Sequence, residues 1–492
     1  MKLTRVLEVV KKNKYRPNFH FTPPQNWMND PNGLVFHEGA YHLFYQHNPF
    51  ENKWGHMSWG HAVSKDLIHW KHLPVAIQED ETDMIFSGSV VVDWKNTTGI
   101  GDCKIIPLIA IYTGHRKIDG QQYQCLAYSI DDGRTWCKYK ENPILDINSK
   151  NFRDPKVFWF DKQNKWIMLV ALPVEKKISI YSSHNLIDWN HLSYFKSSIN
   201  VEGNWECPDL FPLKLNARTT KWILTLSIIK GGITGGSGMI YFIGDFDGDS
   251  FVEIGDELRT PNWIDYGADF YAAVSYSDIP SRDGRRIWLG WMNNWNYADN
   301  APTSPWRGML SIPRELSLRS IDENIKLIQK PIVELNKLHK REFSTNKFSI
   351  TEINDKLSGS NNSSSPFELL VEFEPNNSKD FGVSIKNGIG EGISCGYSMD
   401  TSIVNLDRTN SGDAEFSEKF NAIHSAPLKL KNGKLLLHLF IDASSIEIFC
   451  NDGEVVLSDL IFPNGEINLV ELYSDSNSLR INIFSIWEIQ NI

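Results

Sequence analysis

The chain has 492 residues, too many for one small core, so two or more domains are expected. Its formal net charge of −10 argues against a polyanionic partner such as DNA, and no apolar run approaches the ~20 residues that a membrane-spanning helix requires. Six widely spaced cysteines (Cys103, Cys125, Cys137, Cys207, Cys395, Cys450) form no CxxC pair, which predicts neither a zinc site nor a dense disulfide framework. Residues 1–16 read as an N-terminal extension, with Leu3, Val6, Leu7 and Val10 at helical spacing. That stretch is too short and interrupted for a secretory signal, so a cytoplasmic location is expected, the alternative being a secreted chain whose leader is absent.

Near the N-terminus, Trp27-Met28-Asn29-Asp30-Pro31-Asn32-Gly33 traps an acidic residue between an amide and a proline. Pro31 biases Asp30 toward extended backbone, and Gly33 lets the chain turn into Leu34-Val35-Phe36. On its own this is a tight turn opening a hairpin. It gains meaning because the pattern recurs. Asp83 leads into Phe86-Ser87-Gly88-Ser89, Asp154-Pro155 into Val157 to Phe160, Glu206-Cys207-Pro208 into Asp209-Leu210-Phe211, and Asp269-Phe270-Tyr271 into Ala272-Ala273-Val274. Each is followed by a returning strand rich in aromatic or branched residues. Ser64-Lys65-Asp66-Leu67-Ile68-His69-Trp70 is echoed by Ser183-His184-Asn185-Leu186-Ile187-Asp188-Trp189, and more loosely by Ser129 to Trp136.

Leading positions 30, 83, 154, 206 and 269 mark units of roughly 60 residues, the period of a four-stranded propeller blade. The expected fold is all-β: a five-bladed β-propeller over residues 17–335, a linker at 336–342, and a β-sandwich over 343–492. The connecting segment from 320 to 342 has roughly helical spacing at Leu327, Ile328, Ile332 and Leu335. Alternation then resumes in strands such as Leu435 to Ile441. The glycine-rich run Gly231 to Gly238 reads as a flexible loop.

The first strand of every propeller blade lines the central channel, so leading residues meet at one mouth. Taken as equivalent positions of blades one, three and four, Asp30, Asp154 and Glu206 become one acidic cluster. Crowded carboxylates raise one another's pKa, which suits a site needing one ionised and one protonated acid, as glycoside hydrolysis does. Calcium binding is the competing use of such a cluster, but no metal or cofactor is expected, because no His-rich ligand spacing, phosphate-cradling loop or Gly-x-Ser-x-Gly elbow occurs.

Three blocks, Trp27 to Gly33, Phe152-Arg153-Asp154-Pro155-Lys156 and Trp205-Glu206-Cys207-Pro208-Asp209, resemble those of glycoside hydrolase family thirty-two, the family of invertases, exo-inulinases and levanases. The likeness runs from about residue 16 to 490 and includes Phe86-Ser87-Gly88-Ser89 and Trp291-Met292. It implies a propeller followed by a sandwich, and a retaining hydrolase that releases terminal β-fructofuranosyl units from sucrose, raffinose, inulin or levan. By the same resemblance Asp30 would be the nucleophile, Glu206 the acid and base, and Asp154 the transition-state stabiliser. Trp27, Met28, Asn29, Gln46, Trp54, Phe86, Ser87, Arg153, Tyr271 and Trp291 would line the fructose pocket. Strand-end capping for Gln46 and Ser87, and core packing for the aromatics, are the alternatives. A fructosyltransferase with the same catalytic residues and a non-catalytic sugar-binding propeller remain open, as does self-association through the sandwich.

Overall fold

Each of the five sequence units forms an antiparallel sheet in the computed structural model, which describes residues 14–102, 104–197, 199, 201–255, 260–346, 348–358 and 366–492. The N-terminal helix expected at residues 3–10 lies outside the described residues. From the channel outward, blade I consists of Asn26–His37, Ala40–Asn48, Ser58–Ser64 and Trp70–Ile77. Blades II, III, IV and V begin with Asp83–Val92, Arg153–Phe160, Asn204–Lys214 and Tyr271–Ser275. The ring closes twice onto blade I. Trp306–Arg307 runs parallel to Asn26 and Trp27, and Ser277 bonds the Leu34 and Phe36 backbone.

The repeated Ser-x-Asp/Asn-Leu motif turns out to be the turn before the outermost strand. Asp66 accepts backbone bonds from Ile68 and His69, and Asn185 accepts the same pair from Ile187 and Asp188. The intervening Leu67 and Leu186 are both left-handed, at φ 65° and 63°. A short polar side chain that replaces the backbone as acceptor makes such a turn repeatable.

All five innermost strands carry a bulge at the same height, where three residues oppose two on the next strand. Its first position holds Met28, Ile85, Arg153, Glu206 and Tyr271. Asn29, Phe86, Asp154, Cys207 and Ala272 come second, and Asp30, Ser87, Pro155, Pro208 and Ala273 third. The three carboxylates are therefore not equivalent, which corrects the register assumed from the repeats. They stand at three successive bulge positions of three blades. The cause is the extra residue: aligning Asp30-Pro31 with Asp154-Pro155 slips the register by one, and a one-residue slip exchanges the faces of a strand.

Blade V ends in the hairpin Arg314–Ile321 and Asn324–Pro331, so the helical spacing at 327–335 is only partly realised, as the 3-10 turn Val333–Leu338. His339–Thr345 already belongs to the sandwich, four residues ahead of the boundary placed at 343. The sandwich packs a seven-stranded sheet on a five-stranded one around Phe367, Leu369, Phe381, Leu437, Ile448 and Phe484, all fully buried.

Propeller and sandwich meet through buried charge. His20 bridges Asp442 at 2.8 Å and Glu447 at 2.9 Å. Arg314 engages Glu447, Asp265, Gln329 and Ser458. Arg408 of the sandwich binds Asp269 of the propeller at 2.6 Å. At Gly267 an added Cβ would lie 2.2 Å from the Ser458 carbonyl oxygen, so only glycine admits so close an approach of the two domains.

Candidate active site

The bulges gather side chains of four blades around a cavity of about 380 Å³ at one mouth of the channel. Asp30, Asp154 and Glu206 line it together with Asn29, Gln46, Trp54, Phe86, Ser87 and Arg153. Asp30 and Asp154 are only 8% and 7% exposed. Gly33 sets the depth of the first of these residues: at φ 53°, a Cβ there would meet Val90 at 2.6 Å and Phe44 at 2.8 Å. Pro155 and Pro208 stand where a ladder donor is already lost to the bulge. The second bulge position is left-handed in blades III to V, with φ 64° at Asp154, 46° at Cys207 and 53° at Ala272. For Cys and Ala this costs roughly 1–2 kcal/mol each, strain typical of a site held by its surroundings.

Each carboxylate has its own brace. Ser87 Oγ donates to Asp30 Oδ2 at 2.7 Å and Asn29 Nδ2 to Asp30 Oδ1 at 3.0 Å, while Trp27 Nε1 fixes Asn29 from behind at 2.7 Å. Arg153 donates through Nε and Nη2 to Glu206 Oε1 at 3.0 and 2.6 Å, and Tyr271 Oη donates to Glu206 Oε2 at 2.6 Å. Cys207 N donates to Asp154 Oδ2 at 3.0 Å. The Cys207 thiol lies 3.6 Å from both Asp30 and Asp154. Burial and then Asp154 push that thiol well up, so it stays protonated and serves as a weak donor, not a nucleophile.

Burial raises the pKa of Asp30, with Glu206 adding to it, against the bonds from Ser87 and Asn29. At Asp154 burial and then Glu206 lift the carboxyl to about 7, although Arg153 pulls the other way. One guanidinium among three carboxylates, two of them buried, leaves this cluster short of positive charge.

Four residues expected on the wall stand behind it. Trp27, Met28 and Trp291 are completely buried and Tyr271 is 1% exposed, and none of them lines the cavity. Successive strand residues face opposite sides, so Met28 turns into the core next to Asn29. Trp27 and Trp291 instead pack on Trp295, with ring centroids 6.0 and 4.8 Å away. Trp295 itself lines the cavity, as do His115, Gln122 and Ile229, which the sequence did not single out as site residues. His115 stacks on Phe86 at 4.5 Å and 8°, and Trp54, 42% exposed, meets Phe86 edge-on to form a rim. Gln122 accepts from Arg153 Nη1 at 3.2 Å. The Trp-x-x-x-Trp spacing after the blade V strand was the available signal for Trp295. The glycine-rich loop is fixed, not free: Trp295 N donates to Ser237 Oγ, and Asn294 donates to Gly235 O and accepts from Ser237 N.

Paired carboxylates braced from different directions, with aromatic rings at the rim, are the equipment of a glycosidase. Comparison with known proteins agrees. Residues 20–331 match the family described as "Glycosyl hydrolases family 32 N-terminal domain", and residues 334–488 match "Glycosyl hydrolases family 32 C terminal". A levanase of Bacillus subtilis is 45% identical, covering 97% of this chain and 71% of its own. An extracellular exo-inulinase of Aspergillus ficuum is 38% identical over 96% of this chain and 94% of its own. Among solved structures, fructofuranosidase from Schwanniomyces occidentalis complexed with fructose superposes with a TM-score of 0.89 at 32% identity, covering 97% of this chain and 99% of that one. The chain belongs to glycosyl hydrolase family 32.

Proposed function

We propose that this glycosidase is a retaining exo-β-fructofuranosidase that removes single fructosyl units from the non-reducing end of sucrose and fructans. Asp30, ionised and braced by Ser87 and Asn29, attacks the anomeric carbon, and Glu206 protonates the departing oxygen. Arg153 and Tyr271 hold Glu206 in place for this step and for the later activation of water. Burial and then the neighbouring Glu206 raise the Asp154 carboxyl to about 7, so the cavity holds a proton into the neutral range. Asp154 stabilises the oxocarbenium-like transition state. Two buried donors, Gln46 Nε2 and Trp295 Nε1, have no partner among the described residues and supply hydrogen bonds for sugar hydroxyls.

The observation that carries this function is the separate bracing of Asp30 and Glu206 across one cavity. It is supported by relatives named levanase and exo-inulinase. Time-resolved chromatography on inulin or levan tests it. Free fructose is expected from the first time point, with transfer products only in concentrated sugar. Early internal oligosaccharides would contradict the exo mode.

Self-association through the sandwich remains part of the proposal. The strand Ile423–Pro427 is an edge of the five-stranded sheet and exposes Ile423. Sedimentation should show a dimer that Ile423→Lys dissociates.

A further inference from the structure

The innermost strands run from the carboxylate cavity down the channel to a second mouth. Asp154 and Trp159 lie on the same strand, five residues or roughly 16 Å apart. Between them the buried Lys156 crosses the channel from blade III. Its Nζ donates to Ser275 O of blade V at 2.7 Å and lies 3.2 Å from Asp209 of blade IV. This bridge ties blades III, IV and V together between the two mouths. Beyond it lies a cavity of about 630 Å³, larger than the one holding the carboxylates.

Four tryptophans, Trp94, Trp159, Trp166 and Trp222, line this second cavity. Trp94 is 54% exposed, yet its ring is fixed by a bond of 2.8 Å from Nε1 to Asp278 Oδ1. Trp159 meets Trp166 edge-on at 5.0 Å and carries the Lys95 ammonium over its face at 4.2 Å. Two buried polar atoms of lining residues have no partner among the described residues: the donor Trp159 Nε1 and the acceptor Asp209 Oδ1. Lining cations (Lys95, Lys156, Lys162, Arg286) and anions (Asp161, Asp209, Asp278) nearly balance.

Near-neutral lining disfavours a polyanion, and the unpaired Asp209 oxygen disfavours a purely apolar ligand. A fixed, exposed indole with an unpaired donor and an unpaired acceptor nearby matches a neutral polyhydroxylated molecule that has one apolar face. We propose that this mouth is a second saccharide-binding site, which holds a stretch of fructan chain while another chain end is cut at the carboxylates. The identity of the saccharide rests on the fructan-hydrolysing function proposed above. A second contact on a polymer raises the effective concentration of chain ends at the catalytic cavity without altering sucrose turnover.

Calorimetric titration with nystose of the chain carrying Asp30→Asn counts the sites without hydrolysis. Two sites per chain are expected, and one after Trp94→Ala is added. In the active enzyme, Trp94→Ala should keep kcat/KM on sucrose and lower it on inulin or levan by roughly threefold to tenfold, with Trp94→Phe restoring most of the loss. A single site with Asp30→Asn alone, or an unchanged polymer-to-sucrose ratio in Trp94→Ala, would overturn the proposal. Equal occupancy of the Trp94-dependent site by cello-oligosaccharides would overturn the fructan assignment. Absence of fructoside hydrolysis by the unmodified enzyme would instead fault the catalytic assignment, which the site count does not measure.

Discussion

Two groups of buried carboxylates can be compared in this molecule, one in the catalytic cavity and one between the domains. Burial alone pushes every one of them toward the neutral form. At the domain junction, cations overrule burial at three of the five carboxylates among the described residues. Asp442 is held low by His20, Glu447 by Arg314 and His20, and Asp459 by His424 and Arg408. Only Asp265 and Asp269 stay raised there, by burial, against Arg314 and Arg408. In the catalytic cavity Arg153 is the one lining cation paired with a carboxylate, and Asp30 and Asp154 both remain raised. A compensated cluster fastens two domains together. An undercompensated one stores a proton and a nucleophile.

The largest expected effect follows from removing the nucleophile. Asp30→Asn keeps the shape of the cavity yet should lower kcat by at least about 10⁴-fold while fructoside binding survives. Near-native initial rates would erase the distinction between the clusters. Glu206→Gln should cost substrates with poor leaving groups about 10²–10⁴-fold and spare aryl β-fructosides in the first step.

Removing a partner at the junction should act on stability instead. His20→Gln leaves Asp442 without a cation and Glu447 with Arg314 alone, and should lower the unfolding free energy by about 3–5 kcal/mol, with KM unchanged in molecules that remain folded. Burial alone would lower the pKa of His20, but its bonds to the two carboxylates hold it at about 9, against 6.5 when unperturbed. The contribution of a group raised in this way is complete below its unfolded pKa and is lost as pH rises through the folded one. The urea midpoints of wild type and His20→Gln should therefore converge between about pH 6.5 and 9.

The smallest effect has the opposite sign. Asp154 stands at about 7 in the fold against 3.8 when unperturbed, so the fold binds this proton more tightly than the unfolded chain does. Asp154→Asn should be more stable than wild type above about pH 7, by roughly 2–4 °C in Tm. The gain should vanish toward pH 3.8, although activity is lost. Equal Tm values across that range, measured by scanning calorimetry, would mean that Asp154 is not under electrostatic strain.

The blades and the three acids were legible because Asp-Pro leads blades I and III, Glu-x-Pro leads blade IV, and Ser-x-Asp/Asn-Leu recurs in blades I and III, each at nearly the same place in its unit. The order of the acids was not, since a bulge adds one residue that leaves no compositional mark. Side-chain direction was lost for the same reason: Met28 and Asn29 are neighbours in sequence but face the core and the cavity respectively. Trp291 looked like a wall residue and is instead the support for Trp295. The junction was invisible because His20 and Asp442 lie 422 residues apart, and no periodicity connects them.

The most direct test of the central assignment is to trap the intermediate. Glu206→Gln, given an aryl β-fructoside with a good leaving group, should form the fructosyl-enzyme and hydrolyse it slowly, because the group that activates water is missing. Peptide mass spectrometry of the quenched enzyme should then find one fructosyl unit on the peptide containing Asp30, at Asp30 itself. A fructosyl unit on Asp154, or inverted product released with no labelled peptide, would contradict nucleophilic attack by Asp30.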